Sequence, residues 1–434
     1  MIFLVQLALA EPRAVSLTDA MALAATASES IDAAEADVRK ADADKAAAFG
    51  GYLPSLGGSI SYSHTFISEY DGLFDSGADT GAAAAANPFA DLPFGKPDTW
   101  RADLSLSQVV YGGGRVRAQN QLARASQSLA GASLQSAEAS TQLDVATAYL
   151  DAALYERLLA IARMAEGQAT TTLDHATEAV KVGRQPEFEL LRARVELENQ
   201  RVVVLQQAHY AALGTARLKQ LLGIAADEAI TLSTPLEAEA PAVGASGAGE
   251  RLAVQQLEAA VDIAEASVKL RRSAGLPSVA VSGSGGFVSY PDNPLPPLED
   301  WRSNLSAGAS VSMPLFSGGV IRAQIRSAQA ELDKARAQAA QVAELASLDE
   351  QNAQAGLDTA TAQWAATAGT VEQARKAYAI AEVRFSEGVS TQAELADARI
   401  LLQRAEANRA QAGRDLQLAA LRVRLLHDLP LQSR

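Results

Sequence analysis

Cysteine is missing from all 434 residues, which removes disulfides, thiolate metal sites, cysteine nucleophiles and a lipid-modified N-terminal cysteine. Also missing is any run of 18 or more apolar residues, so no helix is expected to cross a bilayer, and a membrane-spanning part would have to be a β-barrel. Aromatic residues make up only 5% of a chain that is 48% hydrophobic. Alanine supplies much of the difference, and methyl groups favour helix and close helix contact over a bulky globular core. Basic residues are outnumbered, 37 Lys and Arg against 51 Asp and Glu, for a net charge of −14. They form no cluster among aromatic residues, so nucleic acid is not an expected partner. His64, His175, His209 and His427 are scattered, none at metal-ligand spacing, and there is no phosphate loop or nucleophile constellation. No catalytic activity, cofactor or metal is therefore expected.

What is present begins with an apolar segment, residues 1–10, closing on Ala8-Leu9-Ala10. It reads as the remnant of a secretory signal with a small-residue cleavage site, its basic start lying upstream.

An internal duplication organises the rest. Gly113-Gly114 with Arg117-Ala118-Gln119 recurs as Gly318-Gly319 with Arg322-Ala323-Gln324, a shift of 205 residues. Far downstream the same shift carries Gly183 onto Gly388, and Glu189-Leu190 with Ala193-Arg194 onto Glu394-Leu395 with Ala398-Arg399. Upstream, Leu53-Pro54-Ser55 matches Leu276-Pro277-Ser278 at a shift of 223, as Glu35, Ala36 and Val38 match Glu258, Ala259 and Val261. The difference falls on a loop of unequal length, roughly residues 67–99 in the first copy and 291–300 in the second. A first repeat is thus expected over 15–223, a linker rich in Ala, Pro and Gly over 224–250, and a second repeat over 251–428.

Each repeat reads helix, strand, loop, strand, very long helix, glycine turn, helix. Strands are expected at about 55–67 and 100–111, and again at about 277–290 and 301–316. There Ser59, Ser61, Ser63 and Thr65 alternate with Ile60, Tyr62, His64 and Phe66, and Leu305, Ala307, Ala309 and Val311 with Ser306, Gly308, Ser310 and Ser312. Period-two alternation with a Ser/Thr/Gly polar face fits outer-membrane barrel strands. Tyr52, Tyr62, Phe66, Trp100, Tyr111, Phe287, Tyr290, Trp301 and Phe316 gather at strand ends, where interfacial girdles are found.

The helices carry a heptad. Leu395, Leu402, Leu416 and Val423 are seven apart with Arg409 breaking the series, and Ala398, Ala405, Ala412, Ala419 and Leu426 interleave. No proline interrupts residues 115–181, so at ~1.5 Å per residue that helix would approach ~100 Å. Four strands cannot close a membrane barrel, so several chains must contribute: two would give eight strands and three would give twelve.

In order, Ser16-Leu17-Thr18-Asp19-Ala20, Tyr52-Leu53-Pro54-Ser55-Leu56, Tyr111-Gly112-Gly113-Gly114 and the duplicated hairpins resemble the outer-membrane efflux (TolC-like) family over about residues 15–430. The resemblance implies an α+β membrane protein that is a homotrimer. Four strands per chain would build a shared twelve-stranded barrel in outer-membrane lipid, and coiled-coil hairpins a periplasmic tunnel. The chain would be a passive exit duct for an inner-membrane pump reached through a periplasmic adaptor protein, serving efflux or type I secretion. A soluble coiled-coil scaffold or adaptor is the alternative of a different class.

The hairpin tips fall at 182–186 and 387–391, where glycine ends one helix before the chain reverses. The resemblance assigns adaptor contact to Val182, Gly183, Arg184, Gly388 and Val389. It also implies a narrowed entrance lined by carboxylates six and nine residues beyond the second tip glycine, which are Glu394 and Asp397 here, with Glu189 at the matching first-repeat position. A spacing of three puts Glu394 and Asp397 on nearly one helix face, and a trimer would gather six acids around one axis, which favours cations. Relatives place a basic residue two beyond the second tip glycine, whereas this chain has Ser390. Arg184 or Arg192 would have to substitute for it.

Overall fold

The computed structural model describes residues 13–67, 96–237, 251–291 and 296–431. The expected signal remnant, most of the long first loop, part of the short second one and residues 238–250 of the linker lie outside the described residues. In order the elements are β1 (Arg13–Val15), α1 (Leu17–Ala27), α2 (Glu29–Gly50), β2 (Ser55–His64), β3 (Asp98–Gly112), α3 (Arg115–Lys181) and α4 (Glu187–Leu221). They are followed by β4 (Ile230–Leu232), α5 (Leu252–Ser273), β5 (Ser278–Ser289), β6 (Arg302–Ser312), α6 (Val320–Ser386) and α7 (Gln392–Leu425). The duplication is visible in the bounds. Shifting α2 by 223 gives the span of α5, and shifting α3 by 205 gives that of α6. Positive φ recurs at the same shift, at Gly113, Gly114 and Gly183 and again at Gly318, Gly319 and Gly388.

The chain divides into two compact units, one of residues 40–127 with 260–336 and the other of the remainder. The first holds a four-stranded antiparallel sheet in the order β2-β3-β5-β6, with β2 and β6 as unpaired edges. Directly opposed residues share a face, so the register sorts every side chain. One face carries Leu56, Leu106, Gly283 and Ala307 in one row, Gly58, Leu104, Gly285 and Leu305 in the next, and Ile60, Ala102, Phe287 and Ser303 beyond. The other carries Ser55, Ser107, Ser282 and Gly308, then Gly57, Ser105, Ser284 and Ser306. The apolar face is bare in a single chain: Ile60 is 77% exposed and Leu305 88%. A bulge between Val109 and Tyr111 lifts Val110 out of register. Such a bulge is how a strand gains local twist.

At one end of this sheet the chain leaves for its long excursion and is pinned on return. Thr65 N donates to Pro97 O at 2.8 Å, while Tyr62 Oη donates to Asp98 Oδ1 at 2.7 Å. His64 Nδ1 lies 2.7 Å from the same oxygen. Tyr62 also packs on Trp100, ring centroids 5.0 Å apart. At the other end Gly113-Gly114 and Gly318-Gly319 turn the strands into the long helices. Gly113 allows the closest approach, since a Cβ there would lie 2.7 Å from Leu276.

The second unit is built on helix packing around Tyr149, which is fully buried among Val15, Val145, Leu150, Leu154, Leu218 and Ala410. Its hydroxyl donates to Val15 O at 2.9 Å and accepts from Thr234 N at 3.0 Å. It thereby ties α3 to β1 and to the segment after β4, which pairs parallel with β1. That segment continues across α7, where Gln417 Nε2 donates to Leu236 O at 2.9 Å and Gly413 leaves no room for a side chain. The α7 heptad residues Leu395, Leu402, Leu416 and Val423 are buried. Arg409, which interrupts that series, lies over the Trp364 ring and donates to Thr367 Oγ1 at 3.2 Å, a cation–π seat that buries the stem of a charged residue in a seam.

Candidate functional site

The two tips have one geometry. Gly183 N donates to Val180 O at 3.0 Å and Arg184 N to Ala179 O at 2.8 Å. Gly388 N donates to Phe385 O at 3.0 Å and Val389 N to Arg384 O at 2.9 Å. This is the paired bonding of a Schellman ending, which requires a left-handed residue; the glycines supply φ of 72° and 74°. Val182, Gly183, Arg184 and Val389 are exposed, with Val182 and Val389 presenting bare aliphatic groups at 65% and 69%.

The helices that leave the tips start differently. Thr391 caps α7, its Oγ1 accepting from Glu394 N at 3.4 Å, whereas Pro186 opens α4 without a side-chain cap. Glu394 and Asp397 follow on the first turns of α7. Both are exposed, and among the described residues neither carboxylate takes part in an ion pair or hydrogen bond. Glu189 does not stand with them as a third free acid. It is half-buried against α7, where Gln392, its amide nitrogen turned toward α4, donates to Glu189 Oε2 at 2.9 Å. Arg184 and Arg192 are exposed and form no ion pair among the described residues, so within one chain neither takes the place left by Ser390.

Beyond the tip lies a cluster that the sequence reading does not assign. Arg399 is buried, its side chain 4% exposed, and its guanidinium donates to Glu196 of α4. One turn on, Gln403 Nε2 donates to Gln200 Oε1 at 3.4 Å. Gln392–Glu189, Arg399–Glu196 and Gln403–Gln200 thus form polar rungs along the α4–α7 seam. The α6–α7 seam at this level is apolar instead, made of Tyr378, Phe385, Leu395 and Leu402. Burial, then the Glu382 carboxylate, pushes the Tyr378 hydroxyl up to about 12, with the Arg399 charge acting the other way. Tyr378 therefore stays a neutral core residue at any physiological pH.

Glycine-capped tips of helical hairpins, two uncompensated carboxylates just behind one tip, and a sheet with one largely apolar, exposed face are the features of an outer-membrane channel protein. The comparisons place it further. The family described as outer membrane efflux protein matches residues 21–224 and 248–427, and the chain belongs to that family. Its sheet accordingly lies in the outer membrane and its helical part in the periplasm. The fold is similar to that of VceC, an outer membrane protein of Vibrio cholerae, at 20% identity and a TM-score of 0.77 over 95% of this chain and 96% of that one. It is similar to the CmeC outer membrane channel of Campylobacter jejuni at 18% identity and a TM-score of 0.78, over 96% and 87%. The MtrE channel of Neisseria gonorrhoeae in its open state is also similar, at 19% identity and a TM-score of 0.73, over 96% and 90%. Among curated proteins compared by sequence, none matches.

Proposed function

We propose that three copies of this chain close a twelve-stranded barrel and extend it as a helical tunnel, forming the passive exit duct of an efflux or secretion assembly. The observation that carries this reading is the sheet: four strands, two unpaired edges and one continuous apolar face. In lipid an open edge leaves backbone groups without partners, so the edges must meet those of other copies. Exposed Val195, Val202, Leu205 and Leu213 on α4 supply apolar surface for contact between copies. Energy for transport comes from an inner-membrane pump. Val182, Gly183, Arg184, Gly388 and Val389 meet the periplasmic adaptor, since tips that project bare valines beside glycine turns offer a small apolar surface to a helical partner.

Glu394 and Asp397 form the entrance constriction, six carboxylates around the axis of the trimer, with Glu189 set back beside Gln392. Rings of fixed negative charge favour cations. Single-channel recording of the detergent-purified protein in a planar bilayer tests this. Small, stable, cation-selective steps are expected from the unaltered protein. Glu394→Gln with Asp397→Asn should move the reversal potential toward neutrality, and unchanged selectivity would remove these residues from the gate.

A further inference from the structure

Only three charged side chains stand on the polar face of the four sheet strands, and two of them share a row. Arg101 pairs across to Val288 and Val288 to Arg302, so both arginines project from the same face two strand spacings apart, ~10 Å. Asp103 is the third. Its Oδ2 lies 3.9 Å from Arg101 Nε, and it leans into the space left by Gly286, where a Cβ would lie 2.4 Å from Asp103 Oδ1. The Arg101–Asp103 pair is half-exposed and weak, and Arg302 makes no ion pair among the described residues. The row lies at the end of the sheet away from Gly113-Gly114 and Gly318-Gly319, next to the connections between strands.

On the polar face of the strands this is a surplus of one positive charge per chain, within a chain whose net charge is −14, so composition does not account for it. Its consequence depends on the barrel proposed above. Twelve strands spaced ~4.8 Å and tilted ~40° enclose a bore roughly 24 Å across at the backbone. Arginine side chains reaching inward narrow it well below that. Apart from Asp103, which offsets one of them, every other position on this polar face of the strands is uncharged, so two arginines against one carboxylate per chain set its field. Guanidinium groups offer planar, paired donors suited to phosphate and carboxylate oxygens.

We propose that Arg101 and Arg302 form a lumenal ring of arginines near the outer mouth that binds anionic solutes, those bearing phosphate or carboxylate groups, as they leave the duct. The path then runs from an acidic entrance to a basic exit. A cation admitted at the tips meets its repulsive barrier last, whereas an anion meets a binding site there.

Planar-bilayer recording with inorganic tripolyphosphate added to the barrel side tests the proposal on the full-length trimer. Tripolyphosphate should block the unaltered channel from that side. Arg101→Gln with Arg302→Gln should weaken the block by about tenfold or more, and Arg101→Lys with Arg302→Lys should retain most of it. The lysine variant also guards against a misfolded barrel being read as a lost site. Conducting channels that show no block, or the same block in the glutamine variant, would overturn the ring and leave the duct standing. Absence of conductance from the unaltered protein would overturn both.

Discussion

The first and second repeats share the bounds of two helix pairs to the residue, α2 with α5 and α3 with α6, yet they bury different things. Val145, Tyr149 and Leu154 of α3 are in the core; the residues 205 further on in α6 are Glu350, Gln354 and Thr359, and all three are exposed. Arg194 of α4 is exposed, whereas its counterpart Arg399 in α7 is almost fully buried. Duplication has preserved where the long helices start and where their hairpins turn, because those points rest on glycines with positive φ. The faces have diverged, because each helix meets a different neighbour. β1, α1 and β4 gather around α3, and α7 sits between α4 and α6.

The largest expected effect lies in the buried charge of the second repeat. Glu196→Ala strands the Arg399 guanidinium, whose Nε already lacks a partner, and removing one member of a buried pair costs about 3–5 kcal/mol. Arg399→Ala should cost less, because Glu196 is 28% exposed and regains water. Arg194→Ala, at the matched position of the first repeat, should stay within about 0.5 kcal/mol. Denaturant midpoints of the three variants in detergent check the order, and equal midpoints would mean that α4 and α7 do not depend on this rung.

Next comes Tyr149→Phe, which keeps the ring and removes the hydroxyl. Val15 O still accepts from Ser233 N, but Thr234 N is left without its acceptor, and such a buried orphan costs about 1–3 kcal/mol. Gln354→Ala, the matched position in α6, is exposed and should change stability by less than about 0.5 kcal/mol. Amide exchange would sharpen the contrast, with faster exchange confined to β1 and β4 in the tyrosine variant.

Much of the backbone was legible in the sequence, because glycine turns, a proline-free span of 67 residues and period-two strands leave local marks. The contacts that tie elements together were less so. Arg399 pairs with Glu196, an offset of 203 residues, so searching at the duplication shift of 205 leads past it to Arg194. The row holding Arg101 and Arg302 needs the strand register, which no single-strand alternation contains. Val110 shows the same limit, since one bulged residue reverses the faces of everything beyond it. Glu394 and Asp397 enter as gate candidates only through the family resemblance, and the structure adds that Glu189 is engaged by Gln392 rather than free.

The smallest effect separates the repeats at their beginnings. Helix α2 has its counterpart in α5, but α1, which precedes α2, has none among the described residues. It carries its own start signal: a capping box in which Asp19 N donates to Ser16 Oγ at 3.1 Å, while Ser16 Oγ and Ser16 N donate to Asp19 Oδ2 at 2.6 and 3.2 Å. The Ser16 hydroxyl, then its backbone N–H, holds the Asp19 carboxyl below its ordinary value. A carboxyl depressed in the folded state contributes stability that is complete above its unfolded value and is lost as pH falls through the folded one. The first repeat should therefore loosen at its N-terminal end below about pH 4, before any change at α5, whose first turn has no acidic residue. Asp19→Asn removes this dependence, because the amide has no charge to lose, and should leave the neutral-pH midpoint only slightly lower. Protease sensitivity of the α1–α2 junction as a function of pH reads it directly. An acid onset that is the same in both proteins would assign the loosening to carboxylates elsewhere and leave the two repeats alike in this respect.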